Sequence, residues 1–154
     1  MTKVIHKINQ EVYSEDTCLI PTMGSLHKGH TTLFEQAKAT PHAKIIVSIF
    51  VNRKQFNDKK DFDNYPIDID NDIKLLEKVN VDYIFIPDES YIYPNKKILE
   101  VSSGAIGMQY EGKYREGHFD GVLTVVNRFF ELINPSAAIF GRKDAQQLLS
   151  LIHI

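Results

Sequence analysis

The sequence contains no tryptophan and only one cysteine, Cys18. A single cysteine excludes an intrachain disulfide and fits a reducing compartment. Cys18 falls in an apolar run, where a small buried hydrophobe is a simpler reading than a nucleophile. Neither sign of charge dominates: 18 Lys and Arg stand against 20 Asp and Glu, a formal charge of -2. Nothing here makes a nucleic-acid footprint or a polybasic membrane anchor. MTKVIHKINQ carries no long apolar segment. Neither a signal peptide nor a spanning helix is therefore expected, and the cytoplasm is the expected compartment. Internal repeats, low-complexity tracts and a domain-separating linker are missing too. With 154 residues the chain is long enough for one domain with a real core.

What is present is an alternation of strand-like and helix-like segments. Residues 18–21 read as a short strand and 31–39 as a helix closed by Thr40-Pro41. KIIVSIFV at 44–51 is a nearly continuous β-branched run, suited to a central parallel strand buried on both faces. A polar loop follows over 52–65. Pro66 opens a helix at 67–79 with Ile69, Ile73, Leu76 and Val79 on one face. DYIFIP at 82–87 reads as a strand, and a short strand near 98–101 precedes a Ser-capped turn from Ser102. A long helix over 119–133 stops at Asn134-Pro135. Residues 137–140 read as a buried strand, and Gly141 leads into a last helical segment ending at LIHI without a capping signal. The expected fold is α/β, a Rossmann-like doubly wound parallel sheet with flanking helices. The uncapped apolar end carries the expectation that the sequence continues.

Three sets of residues carry candidate chemistry. The first, PTMGSLHKGH, places His27 and His30 on the first turn of a helix that follows a strand. Free backbone N–H groups and the positive helix end are expected beside them, with Gly29 leaving room for a nucleotide. Three readings stay open for the pair: ordinary helix-start side chains, a metal pair lacking an evident third ligand, or phosphate ligands. The second set is Asn52 and Gln55, just past the carboxyl end of the 44–51 run. Open parallel sheets bind ligands there, and amides can hydrogen-bond hydroxyls and carboxylates. The third is Gly141-Arg142-Lys143-Asp144 with Gln146 and Gln147, where a lysine suits the charge of a phosphate in displacement. A solvated loop or charged turn is the bland alternative for the second and third sets. All three converge on one edge of the inferred sheet.

These residues also carry a resemblance. PTMGSLHKGH resembles the histidine-containing nucleotide signature of the pantothenate synthetase (pantoate–β-alanine ligase) family. SIFVNRKQF is similar to that family's strand and pantoate loop, YREGHFDGVLTVVNRFFELINP to its Arg-x-Gly-His-Phe-x-Gly helix, and FGRKDAQQL to its Lys-Asp-x-Gln-Gln-Leu segment. The histidines alone match only the wider adenylyl-transfer superfamily. Four motifs in order, across nearly the whole chain, match the ligase.

The resemblance implies ATP-dependent condensation of pantoate with β-alanine through a pantoyl adenylate, with Mg²⁺ riding on the phosphates. It implies an ATP site formed by Met23, Gly24, Ser25, Leu26, His27, Lys28, Gly29 and His30 together with Gly141, Arg142, Lys143 and Asp144. His30, His27 and Lys143 would be catalytic. Gln55, Gln147 and Asn52 would hold pantoate, with Arg115 and His118, near Glu111, as further substrate contacts. Tyr65-Pro66 corresponds to a gate loop, and a homodimer is implied.

Arg53, Glu116, Arg142 and Ile67-Asp68 depart from the family pattern. Family enzymes also run roughly twice as far and include a Ser-Ser-Arg loop over ATP. The 1–154 chain thus resembles an N-terminal nucleotide- and pantoate-binding domain, expected to turn over slowly or not at all alone. Another nucleotidyl transferase of the superfamily, or a non-catalytic nucleotide-binding remnant, are the competing readings.

Overall fold

Burial alternates along each central strand, and that alternation builds two cores. In the computed structural model, which describes residues 1–41, 43–94, 98–152 and 154, β2 spans Thr17–Thr22 and β3 spans Lys44–Ile49. β4 spans Tyr83–Phe85. Leu19, Ile46, Tyr83 and Phe85 face one core, whereas Cys18, Ile20, Ile45, Val47, Ile49 and Ile84 face the other. Period-2 side chains on strands covered by helices on both sides give this division.

Two further strands complete the sheet: β1, Lys3–Ile5, and β5, Ala137–Ala138. Among the described residues the sheet is five-stranded, in the order β1-β4-β3-β2-β5. Every pairing is parallel. In the β4-β3-β2-β5 portion the strand order reverses between β2 and β5, the switch point of a doubly wound sheet.

Helices cover both faces. α1 (Gln10–Ser14) and α8 (His118–Ile133) lie on the first core, while α2 (Lys28–Lys38) and α4 (Ile69–Lys78) close the second. α8 is the principal helix of its face: Val122, Leu123, Val125, Val126, Phe129 and Ile133 are all buried. Shorter helices fill the connections: α3 (Lys59–Asp63), α5 (Glu89–Ile92), α6 (Gly104–Gly107), α7 (Glu111–Tyr114) and α9 (Ala145–Leu151).

Several expectations need correction. Residues 98–101 form no strand: the Val101 amide bonds Thr124 Oγ1 on α8 at 3.1 Å, and Leu99 is exposed. β5 is a half-buried edge strand of two residues rather than a buried strand over 137–140. The 52–65 loop contains a 3-10 turn at Arg53–Gln55 and the α3 helix. β1 has no counterpart in the sequence reading, because three residues show no usable period. Its edges are tied by Lys3 N–H to Asp82 O and Ile86 N–H to Ile5 O, both 2.9 Å. The tail of the expected last helix, at His153, lies outside the described residues. No helix among them is long and apolar enough to cross a membrane.

Candidate active site

The carboxyl ends of β2, β3 and β5 open onto one cleft of about 700 Å³. It lies at the sheet's switch point, where strands diverge and leave a crevice. Met23, Gly24, Ser25, His27, Gly29 and His30 line it from the turn after β2, and Gly141 to Asp144 with Gln147 line it from the segment after β5. Asn52, Gln55 and Tyr65 line it as well. The floor is apolar, made by Phe50 and by Val122, Val125, Val126 and Phe129 of α8. Those α8 residues read from the sequence only as core, yet they serve both core and cleft.

The histidine turn is held by its own hydrogen bonds. Thr22 Oγ1 donates to Ser48 O at 2.7 Å and accepts the Gly24 N–H at 3.2 Å. His27 is the N-cap of α2 and its Nδ1 accepts the Gly29 N–H at 3.0 Å. In return His30 Nδ1 accepts the His27 N–H at 3.2 Å. This is a capping box in which two imidazoles replace the usual hydroxyl and carboxylate.

With Nδ1 of each ring an acceptor, the proton of each neutral ring sits on Nε2, the nitrogen left for a ligand. The rings stand edge to face at 4.4 Å between centroids. Burial first, then the His27 ring and Lys143, press the His30 pKa below its ordinary value, with Asp72 opposing them. That direction favours the neutral ring, whose proton is on Nε2.

This geometry corrects two expectations. The amides of His27 and Gly29 are not free, because the rings take them. Nor does Gly29 leave open space: a Cβ there would come 2.7 Å from His27 Cε1, so the ring itself occupies that place.

The Asn52 and Gln55 part of the lining depends on a turn locked to α8. Asn52 is 1% exposed, and its Nδ2 donates to Gln55 Oε1 at 3.0 Å and Gly121 O at 2.9 Å. Tyr93 Oη donates to Asn52 Oδ1 at 2.7 Å. Asn52 therefore positions Gln55 as well as lining the cleft. His118 Nδ1–H bonds Gln55 O at 2.7 Å from beneath. Burial holds the His118 pKa below its ordinary value, opposed by that bond. His118 does not line the cleft and acts on Gln55. Arg53 lies over the Phe62 ring at 5.8 Å, and Phe56 packs against Phe62 and Tyr65. Burial, then Asp72, raises the Tyr65 phenol pKa.

The remaining expected residues separate by position. Gln147 faces the cleft, whereas Gln146 turns away and donates to Ile106 O and Gln109 O, pinning α9. Lys143 is exposed at the rim, 3.7 Å from Asp144. Leu26 is buried in the second core, and Lys28 is an exposed residue of the first turn of α2. Arg115 is exposed, 3.8 Å from Glu111, and stands outside the cleft lining.

One residue escaped the sequence reading. Asp72 of α4 is buried and accepts the Ser25 and Leu26 amides at 2.8 and 2.7 Å. A signal existed: Asp72 falls three after Ile69 and four before Leu76, on the apolar stripe of α4. A carboxylate there requires hydrogen-bond partners.

Strand order and a cleft at the switch point define an α/β domain of the doubly wound, switch-point class. The family model described as pantoate-beta-alanine ligase matches residues 1–153, and the chain belongs to that family. A pantothenate synthetase of Staphylococcus haemolyticus is 42% identical over 156 residues, covering 96% of this chain and 55% of that protein. One from Acidothermus cellulolyticus is 48% identical over 130 residues, covering 84% and 42%. Among solved structures, pantoate-beta-alanine ligase of Francisella tularensis, complexed with Beta-gamma ATP and beta-alanine, superposes with a TM-score of 0.91 at 35% identity. That match covers 99% of this chain and 61% of the other. Pantothenate synthetase of Thermus thermophilus gives 0.88 at 37%, covering 98% and 56%. The chain spans about half the length of the relatives it matches.

Proposed function

We propose that this chain forms the nucleotide- and pantoate-binding part of an ATP-dependent pantoate–β-alanine ligase. The observation that carries the reading is a single cleft lined by two imidazoles, Arg142 and Lys143, the amides of Gln55 and Gln147, and apolar side chains of α8. Pantoate has a gem-dimethyl group between polar ends, and the cleft offers apolar α8 side chains for the one and the Gln55 and Gln147 amides for the other. The Francisella tularensis relative is complexed with Beta-gamma ATP and beta-alanine, which supports the nucleotide and amine parts of this reading.

In the proposed reaction, a pantoate carboxylate oxygen attacks the α-phosphorus of ATP and the bond to pyrophosphate breaks. The β-alanine amine then attacks the acyl carbon of pantoyl adenylate, losing a proton and expelling AMP. Adenylation replaces an oxide leaving group by AMP. His27 and His30 would donate Nε2–H to phosphate oxygens as negative charge builds, the arrangement that stabilises such a transition state. Lys143 and Arg142 would add cationic charge from the segment after β5, and Asp144 would engage the nucleotide. Gln55 and Gln147 would bind pantoate, with Asn52 and His118 holding Gln55. Arg115 belongs to the same proposal only as an outer contact.

Mg²⁺ would ride on the nucleotide and supply neutralisation of phosphate charge. Among the described residues no group of three or more His, Cys, Asp or Glu could cage a metal. Asp144 is the carboxylate in the lining, and the Asp72 oxygens already accept amides. A cytoplasmic setting, in keeping with the lone buried Cys18, and a homodimer complete the proposal.

The test is pyrophosphate release from ATP and Mg²⁺. Slow release that requires pantoate, and is lost with His30→Ala, is the expected result. Release supported by phosphopantetheine instead would assign the chain to another nucleotidyl transferase. Calorimetry without ATP or pantoate binding would contradict both enzyme readings.

A further inference from the structure

The turn carrying the histidines is anchored from behind by a carboxylate far from it in sequence. Asp72 is 1% exposed, and its two oxygens accept adjacent amides, Oδ2 from Ser25 at 2.8 Å and Oδ1 from Leu26 at 2.7 Å. Gly24 and Ser25 both adopt left-handed conformations, with φ of 81° and 53°. Those angles turn the two N–H groups to the same side. The fit leaves no slack: a Cβ at Gly24 would lie 2.8 Å from Asp72 Oδ2 and 3.1 Å from Ile49 Cγ2. With Thr22 taking the Gly24 amide and His30 that of His27, every amide from Gly24 to His27 has a protein acceptor. This segment is therefore not an open amide cradle for an anion. Its means of meeting one are the imidazole Nε2–H groups, and their aim depends on where the turn is fixed.

We infer that Asp72 is a positioning residue whose buried carboxylate fixes the 24–26 turn so that His27 and His30 present Nε2–H to the phosphates of a bound nucleotide. The inference rests on the nucleotide reading given above. A carboxylate is the side chain the geometry requires, because two neighbouring N–H donors need two acceptor oxygens. Asparagine would satisfy one donor and set its own NH₂ against the other. An apolar side chain would leave both amides buried and unpaired.

The 154-residue chain and its Asp72→Asn and Gly24→Ala variants test this by two readouts. Histidine ring ¹⁵N shifts report the tautomers of His27 and His30. Calorimetric titrations with ATP and, separately, pantoate report the two affinities. Gly24→Ala retains the carboxylate but drives a Cβ against it, so it perturbs the same contact from the opposite side. Both variants are expected to change the ring signatures and weaken ATP binding about tenfold, while pantoate affinity stays within about twofold. Unchanged ring signatures with unchanged ATP affinity would overturn the inference. Equal weakening of both ligands would also overturn it, since a general loss of structure acts on both. If Asp72→Asn fails to fold, the Gly24→Ala outcome decides in the same way. If the unaltered chain binds neither ligand, the nucleotide reading fails, and the ring signatures alone decide for or against positioning by Asp72.

Discussion

A Cβ on Gly29 would come 2.7 Å from Cε1 and 2.9 Å from Nδ1 of His27, so alanine there must push the capping ring aside. The replacement gains about 1 kcal/mol of helix propensity and loses about as much from the cap. Gly29→Ala should therefore leave the melting temperature nearly unchanged while weakening ATP binding, as a thermal melt paired with a titration will report. The histidine pair's place at the start of a helix that follows a strand was legible in the motif. Its capping role was not, because histidine lies outside the residues normally read as caps.

Two imidazoles, half-buried His30 and buried His118, carry a second consequence at this scale. His30 and His118 both have folded-state pKa values below the ordinary 6.5, chiefly through burial. Above that value both rings are neutral folded or unfolded, and the stability is fully present. As pH falls, the unfolded chain takes up protons that the folded chain resists, so stability declines as pH falls through the folded pKa values. Melts between about pH 8 and 5 should show that decline, and His118→Asn should reduce it while keeping a donor for Gln55 O. An unchanged slope in His118→Asn would contradict the assignment.

At the scale of elements, α8 and the Arg53–Gln55 turn work as one unit. A Cβ at Gly121 would sit 2.4 Å from Lys54 O, 2.6 Å from Lys54 C and 2.7 Å from Gln55 N. These are backbone atoms, so no rotamer change relieves the overlap. Gly121→Ala should destabilise the protein by about 1–3 kcal/mol, and it should lower pantoate affinity because Gln55 is displaced. Denaturant unfolding and a pantoate titration check the two effects separately. α8 was legible from its apolar period alone, and its start fell within one residue. That the same valines floor a cleft was not legible, since periodicity reports which face is covered and not by what. The strand expected at 98–101 fails for a related reason: its amide at Val101 is claimed by Thr124, a tertiary partner that local pattern does not reveal.

Across the whole molecule, the order β1-β4-β3-β2-β5 brings three segments distant in sequence to one crevice. Their convergence was legible because each follows an apolar run, and the ends of parallel strands share a side. Two features came only with tertiary structure. β1 is three residues long and exists through its pairing with β4. Asp72 acts through backbone amides 46 and 47 residues away, which no local spacing records.

Under the proposed function, this crevice holds a phosphate-bearing ligand and pantoate side by side. A pantoate titration followed by NMR tests it most directly. The account predicts saturable shifts in the Gln55 and Gln147 side-chain amides and in the Val122 and Val126 methyl groups, with residues of α1 unmoved. Shifts that do not saturate, or that spare the α8 floor, would contradict it.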